Sequence, residues 1–152
     1  MRVLILMVAM ALFAGFAHAQ ETSMYVQLGN DGGVLSVDEV GLVEGGGVNF
    51  DYAYAEYLAI LKSVSGKSTS VNFFFPGFVY IDPIADGPSS VVLDQSSQLL
   101  YFPYYRDVDK LEVYDSDRRL VLSYDLSDYR ICVLDGKCSV AEDVNTCPED
   151  CR

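Results

Sequence analysis

Short β-forming runs, broken by turn-forming residues about every ten positions, constrain the fold of this chain more than any other feature. β-Branched and aromatic residues fill the runs, while Gly, Pro, Asn and Asp cluster between them. About seven or eight such strands joined by short turns are typical of a two-layer sandwich. The pattern therefore predicts an all-β fold, a two-layer β-sandwich over residues 20–130.

The clearest predicted hairpin lies near the C-terminal end of this region. Lys110–Tyr114 alternates polar and apolar residues with period two, and Arg119–Tyr124 returns after a turn at 115–118. Leu111 and Val113 are expected to share one face of the first strand. We expect this hairpin at the centre or the second edge of the sandwich.

Two earlier segments need separate interpretation. The Ala, Tyr and Leu content of residues 51–62 permits a helix, but turn signals bracket the segment at strand length and favour a strand. Ser68–Ile81 is β-branched and aromatic throughout. Pro76-Gly77 predicts a bend or bulge inside that run, because proline cannot donate to a sheet ladder.

The first nineteen residues have the three parts of a secretory signal peptide. Arg2 supplies the basic residue, an uncharged run follows, and the small residues Ala17 and Ala19 precede Gln20. The run is shorter than the about 20 apolar residues of a spanning helix, so an uncleaved anchor is the weaker alternative. We therefore expect a secreted or cell-surface protein, with no membrane insertion after cleavage.

Cleavage changes which functions the chain can support. It removes Arg2 and His18, the only histidine, and leaves nine basic against 22 acidic residues, a net charge of −13. Such a chain is repelled by phosphate backbones, so nucleic acid is not an expected partner. Without histidine, Ser-His and Cys-His nucleophile pairs and histidine metal sites cannot form. We expect no enzymatic activity and no cofactor.

Paired carboxylates are the catalytic chemistry that remains. Asp107 and Asp109 are candidates for such a pair, as in glycoside hydrolysis. The competing interpretation, a charged turn over 106–109, is favoured because 22 carboxylates guarantee some close pairs. The predicted function is an extracellular non-catalytic interaction or structural module that binds protein or glycan. A carboxylate-based extracellular glycoside hydrolase is the alternative.

An aromatic cluster is the candidate binding site. Its members are Tyr101, Phe102, Tyr104 and Tyr105. On a loop of the sandwich they would stack on sugar rings or anchor a protein partner. The competing interpretation is that alternate members enter or cover the core.

All four cysteines lie in the tail over residues 131–152. Cys132, Cys138, Cys147 and Cys151 have the spacing C-x5-C-x8-C-x3-C. An even number of cysteines in an exported chain indicates disulfides. A zinc site is the alternative, but its usual C-x2-C pairs are absent. The tail is therefore predicted to be a small disulfide-stapled module.

Several segments of the C-terminal third resemble a known group of proteins. They are Leu100–Tyr105, Lys110–Asp115, Leu122–Ser127, Asp135–Cys138 and the ending Cys147–Cys151. Together they resemble secreted or surface-displayed archaeal proteins in which an immunoglobulin-like sandwich precedes a cysteine-rich tail ending Cys-Pro-x-Asp-Cys. The resemblance implies an immunoglobulin-like sandwich and an extracellular role. It carries no catalytic residues.

The spacing of the cysteines leaves their connectivity open. A bond between Cys147 and Cys151 would close a very small loop and constrain little of the unfolded chain. The interleaved pattern, Cys132 with Cys147 and Cys138 with Cys151, closes loops of about 15 residues, each contributing about 3 kcal/mol. We prefer the interleaved pattern for this reason.

The tail also contains a weak calcium candidate. Placing Gly136 at the sixth position of an EF-hand-type loop puts Asp135 at position five and Glu142 at position twelve. Ile131 and Val133 would then occupy positions one and three, where side-chain ligands are needed. The pattern therefore lacks two of its main ligands, and no metal is assigned.

We expect the mature protein to begin at Gln20, because Ala17 and Ala19 present small side chains to signal peptidase. Intact-mass measurement of the protein from its native host checks this expectation. Extracellular material that still carries residues 1–19 would identify the segment as an anchor.

Overall fold

The computed structural model describes residues 22–50, 54–80, 90–139 and 142–151. The signal peptide predicted over residues 1–19 lies outside these ranges. Nine strands and one 3-10 turn, Ser127–Tyr129, form the secondary structure of the described residues. The strands are β1 (Thr22–Asp31), β2 (Val34–Glu44), β3 (Tyr57–Ser63), β4 (Ser68–Phe73), β5 (Phe78–Tyr80), β6 (Ser90–Val92), β7 (Gln95–Pro103), β8 (Val108–Asp115) and β9 (Leu120–Asp125).

Two antiparallel sheets pack face to face, which confirms the predicted all-β sandwich. One sheet has the order β2-β1-β7 and the other has the order β4-β3-β8-β9, while β5 and β6 form a separate small ribbon. The three-stranded sheet places its first strand, β1, in the centre. In the part of the chain that is described, no helix is long and apolar enough to cross a membrane.

The core lies between the sheets and follows from period-two alternation. On β1, Met24, Val26 and Leu28 are fully buried, because successive side chains point to opposite faces of a strand. Strand β7, which pairs with β1 in the same sheet, buries Leu100 and Phe102 on the same side, and β3 and β8 face them from the other sheet. The residues that these strands contribute to the core are Ala59, Leu61, Leu100, Phe102, Val108, Leu111 and Val113.

The predicted hairpin is confirmed as β8 and β9. Strand β8 lies inside its sheet and β9 forms the second edge. Leu111 and Val113 are buried on one face, as expected. A β-bulge shifts the register so that Val113 pairs with Leu122 and Tyr114 pairs with Leu120.

The strand interpretation of residues 51–62 is confirmed over residues 57–62, which belong to β3. Residues 54–56 are not part of a strand, and residues 51–53 lie outside the described ranges. The run predicted from Ser68 is interrupted at residues 74–77, around the Pro76-Gly77 pair. Phe75 lies in this break and is nevertheless buried. Its ring contacts Tyr57 and Phe73 edge-on, with centroids 5.6 and 5.5 Å apart. Aromatic packing thus holds the chain against the core where it leaves the sheet.

The tail contains two interleaved disulfides, Cys132–Cys147 and Cys138–Cys151, as preferred from the sequence. It joins the sandwich at Arg106, whose carbonyl oxygen accepts hydrogen bonds from the backbone amides of residues 131 and 132. The Arg106 guanidinium donates to the carbonyl oxygens of Asn145 and Thr146. One arginine therefore connects the β7–β8 loop to the start of the tail and to residues 145–146 within it.

Reduction with dithiothreitol should loosen the tail and leave most β-structure in place, because both disulfides lie within residues 132–151. Far-UV circular dichroism with amide hydrogen exchange separates the two effects. Loss of the whole β-signal on reduction would contradict the division into sandwich and tail.

Candidate interaction site

The predicted aromatic cluster is split between the two faces of β7. Phe102 is only 1% exposed and belongs to the core, so its assignment as a binding residue is wrong. The physical reason is strand alternation, which turns Phe102 inward and Tyr101 outward. Of these two, Tyr101 alone lies on the outer surface.

Tyr104 and Tyr105 are half-buried, and their hydroxyl groups have structural partners. The Tyr104 hydroxyl donates to the Tyr129 carbonyl oxygen over 2.6 Å, and burial raises the pKa of Tyr104. The Tyr105 hydroxyl forms a hydrogen bond with the hydroxyl of Thr69. The two rings tie the β7–β8 connection to the 3-10 turn and to β4. They do not form the exposed cluster that the sequence predicted.

The segment 46–50 is attached to the outer edge of β7 by a side chain. The Tyr101 amide donates to Oδ1 of Asn49 over 2.8 Å, and Nδ2 of Asn49 donates to the Tyr101 carbonyl oxygen over 2.5 Å. The Asn49 amide therefore satisfies both backbone groups that an additional strand would have paired.

Glycine provides a second attachment for the same segment. The Tyr101 ring lies against Gly47, and a Cβ atom at that position would overlap the ring. The same arrangement recurs on the neighbouring strands, where the Tyr25 ring lies across Gly41 and its hydroxyl donates to Glu39 over 2.7 Å. Each ring covers a glycine that has no side chain of its own to pack.

The two residues next to Asn49 have exposed apolar side chains. Val48 is 79% exposed and Phe50 is 72% exposed, on either side of the anchored Asn49. We call residues 46–50 the anchored loop. Tyr54, at 92% exposure, is the most exposed large apolar residue among those described. Contiguous exposed apolar patches, unlike single exposed residues, often mark interaction sites.

Sequence reasoning missed the anchored loop. The strand expected from the sequence covers residues 51–62, and no role is predicted for Val48 or Phe50, which lie just before it. The available signal was the alternation of Val48, Phe50 and Tyr54 with polar or small residues directly after Gly45–Gly47. No pattern in the sequence reports that Asn49 bonds to a strand 52 residues away.

A shallow groove of about 560 Å³ lies beside the loop, between the edges of β4 and β7. Tyr101, Tyr104 and Arg106 line one side and Thr69–Val71 the other, with Asn49 and Gly47 at the rim. The groove is continuous through Tyr104 and Arg106 with a depression at the tail. The anchored loop therefore stands at one margin of a concave surface.

Both carboxylates of the predicted pair, Asp107 and Asp109, contact other groups of the fold. Asp107 is buried and accepts a 2.8 Å hydrogen bond from the Ser65 amide. Burial opposes its ionisation, but hydrogen bonds from Ser65 outweigh that effect and lower the pKa of Asp107. Asp109 forms an ion pair with Arg130, with 2.7 Å between Oδ1 and Nη2. These contacts support the interpretation of 106–109 as a structural turn.

One ionic cluster lies on the outer face of the four-stranded sheet. The buried Glu112 carboxylate contacts Lys62 at 2.6 Å, the Tyr114 hydroxyl at 2.5 Å and Lys110 at 2.9 Å. The hydrogen bond from Lys62, with those from Tyr114 and Lys110, lowers the pKa of Glu112 to about 2. Because this pKa is depressed, the stabilisation is present above the ordinary value of 4.5 and is lost as the pH falls towards 2.

The tail carboxylates proposed for calcium bond to the backbone. Glu142 accepts hydrogen bonds from the amides of Val133 and Ser139, which lower its pKa. The Asp135 carboxylate accepts from the Lys137 amide over 2.8 Å. The structure brings Glu142 close to Asp150 and to the sulfurs of Cys132 and Cys147, but those sulfurs are bonded to each other. Asp135 and Glu142 stay weak calcium candidates, and no metal is assigned to them.

Comparisons of the chain with protein-family models, with curated proteins and with solved structures found no match.

Replacing Gly47 with alanine should destabilise the protein by about 1–3 kcal/mol, because the added methyl group overlaps the Tyr101 ring. Gly46→Ala is the matched control. A Cβ there meets no atom within 4 Å, so the substitution should be neutral or stabilising by about 0.4–1 kcal/mol. Urea denaturation of both variants provides the measurement, and equal effects would refute the packing of Tyr101 on Gly47.

Proposed function

We propose that this chain is an extracellular, non-catalytic interaction module that binds a protein partner through the anchored loop. The observation that carries the proposal is the combination of exposure and attachment at residues 46–50. Val48 and Phe50 are among the most exposed apolar side chains described, yet Asn49 fixes the backbone between them to β7.

Attachment matters because binding costs conformational entropy. A flexible loop must be ordered when it meets a partner, which costs about 0.5–1.5 kcal/mol for each immobilised side chain. The two hydrogen bonds of Asn49 and the contact of Gly47 with Tyr101 restrict the backbone of the loop before binding. An aromatic anchor on such a loop suits the apolar centre of an interface.

The chemistry of the loop favours a protein over a glycan. Sugar rings stack on flat aromatic faces, whereas Val48 offers an aliphatic surface. Leu99, 40% exposed, shares the outer face of β7 with Tyr101 and extends the apolar surface. A mixed aliphatic and aromatic patch with a polar surround resembles the buried centre of protein interfaces.

Location outside the cytoplasm is part of the same proposal. Two disulfides are compatible with an oxidising compartment, as is the signal peptide inferred from residues 1–19. The resemblance to surface-displayed archaeal proteins supports a cell-surface setting. The structural partners of Asp107 and Asp109 give no support to the hydrolase alternative.

The test captures partners with the mature chain as bait. Envelope material from the native host is incubated with immobilised protein, and bound proteins and glycans are identified separately. Val48→Ser combined with Phe50→Ser should weaken capture of a specific protein about tenfold or more, because interface anchors dominate affinity. The control is Val34→Ser, a similar change at a valine that is 72% exposed in β2.

Two outcomes would contradict the proposal. The first is capture of the same protein with equal affinity by the wild type and the loop variant. The second is retention of glycan alone, which would assign the binding chemistry to the polar groove beside Tyr104.

A further inference from the structure

The four outer edges of the two sheets are protected to different degrees. Asn49 covers β7 at Tyr101. Strand β2 carries Asp38 and Glu39 and accepts a hydrogen bond from the Tyr129 hydroxyl at the carbonyl oxygen of Val40. Strand β4 presents the polar residues Ser68, Ser70 and Asn72 on its outer face. Charges and covering contacts of these kinds prevent an edge from pairing with another chain.

The edge strand β9 differs from the other three. Its six residues, Leu-Val-Leu-Ser-Tyr-Asp, contain neither lysine nor proline, and the only charge is the terminal Asp125. Leu120 is 52% exposed, Val121 42% and Tyr124 37%. The bulge at Val121 is the sole protective device on this strand among the described residues, and it leaves Leu122–Asp125 regularly paired with β8.

Two of the β9 side chains, Leu122 and Tyr124, point to the face of the sheet that carries the core. Tyr124 pairs with Leu111 and Leu122 pairs with Val113, and both of these partners are fully buried. Opposed residues of neighbouring strands point to the same face, so Tyr124 and Leu122 face the interior side. Tyr124 is exposed because the described chain places no strand beyond β9. Among the described residues, no further strand covers the apolar side chains of this edge.

We propose that a second copy of this chain covers the edge, with β9 of the two copies pairing antiparallel and joining their four-stranded sheets. The charged residues at the two ends of β9, Arg119 and Asp125, favour a second copy of the chain as the partner. When the strands pair about Leu122, Arg119 of one copy lies opposite Asp125 of the other, and two-fold symmetry repeats the contact at the far end. Between them, Leu120 lies opposite Tyr124, Leu122 lies opposite its own copy, and Val121 lies opposite Ser123.

The surroundings of β9 are consistent with this pairing. Strand β2 packs near β9 across the sandwich, and its Leu42 and Val43 are also exposed. The Arg119 guanidinium contacts Asp117 in the single chain, but both groups are largely exposed, and exposed pairs contribute little. Arg119 is therefore free to exchange that partner for Asp125 of a second copy. The contact is distinct from the anchored loop.

Sedimentation velocity of the mature, disulfide-bonded chain from about 1 to 100 µM tests the proposal, since a dimer of this kind depends on concentration. The chain should dimerise within this range. Arg119→Glu and Asp125→Lys should each raise the dimer dissociation constant about tenfold, because each places like charges opposite one another twice. The combination Arg119→Glu/Asp125→Lys should restore dimerisation.

Arg118→Glu is the matched control, since it makes the same change of charge one residue earlier, outside the proposed pairing of residues 119–125. It should leave the dissociation constant within about twofold, as expected of an exposed position outside the pairing. Circular dichroism confirms that each variant is folded. Hydrogen exchange provides a second readout that needs no variant, because backbone amides within Val121–Asp125 should gain protection with increasing concentration.

Three results would overturn the proposal. They are a monomer throughout the concentration range, a dimer whose dissociation constant is unchanged in both charge variants, and a dimer that shows no added protection in β9. A dimer abolished by the Val48→Ser/Phe50→Ser variant would assign self-association to the anchored loop instead.

Discussion

Strand β1 carries the constraint on which the rest of the fold depends. It pairs with β2 and β7 along its whole length, and its inward residues Met24, Val26 and Leu28 are fully buried. Because β7 pairs with it residue by residue, and β2 does so on either side of one bulge at Gln27/Leu28, the alternation of β1 decides which of their side chains enter the core. A shift of one residue would turn Tyr25 inward and expose Val26. The surface that remains for function is thus fixed by the pairing of this strand.

Side chains, as well as strands, satisfy backbone groups at the edges and turns of the two sheets. Asn49 occupies the place of a strand beside β7, Asp107 holds the turn of the β3–β4 hairpin, and Arg106 joins the sandwich to the tail. Such contacts bridge elements distant in sequence without a further strand. The carboxylates considered for catalytic or metal chemistry, Asp107, Asp109, Asp135 and Glu142, have structural partners of the same kind. The proposed binding function rests instead on exposed surface, above all on the apolar residues of the anchored loop.

Alternation and turn residues were sufficient to predict the sandwich, the β8–β9 hairpin and the strand that begins at Tyr57. The entropy of loop closure also favoured the observed pairing of Cys132 with Cys147. The candidate site was predicted less well. Phe102 was placed in it because a local cluster of rings does not show which member faces the core. The anchored loop was missed because its position depends on the contacts of Asn49 and Gly47 with Tyr101, and contacts over such a separation leave no local pattern.

The rings that lie on glycines link positions that are far apart in the chain. The Tyr101 ring fills the space that a side chain at position 47 would need, and the Tyr25 ring does the same at position 41. A larger residue at either glycine therefore requires a smaller one at the corresponding tyrosine. In diverging sequences each pair should therefore change together or not at all. The shape of the anchored loop would then depend on both positions of the pair. A substitution at Tyr101 would change the position of Val48 and Phe50 even if Tyr101 itself makes no contact with the partner.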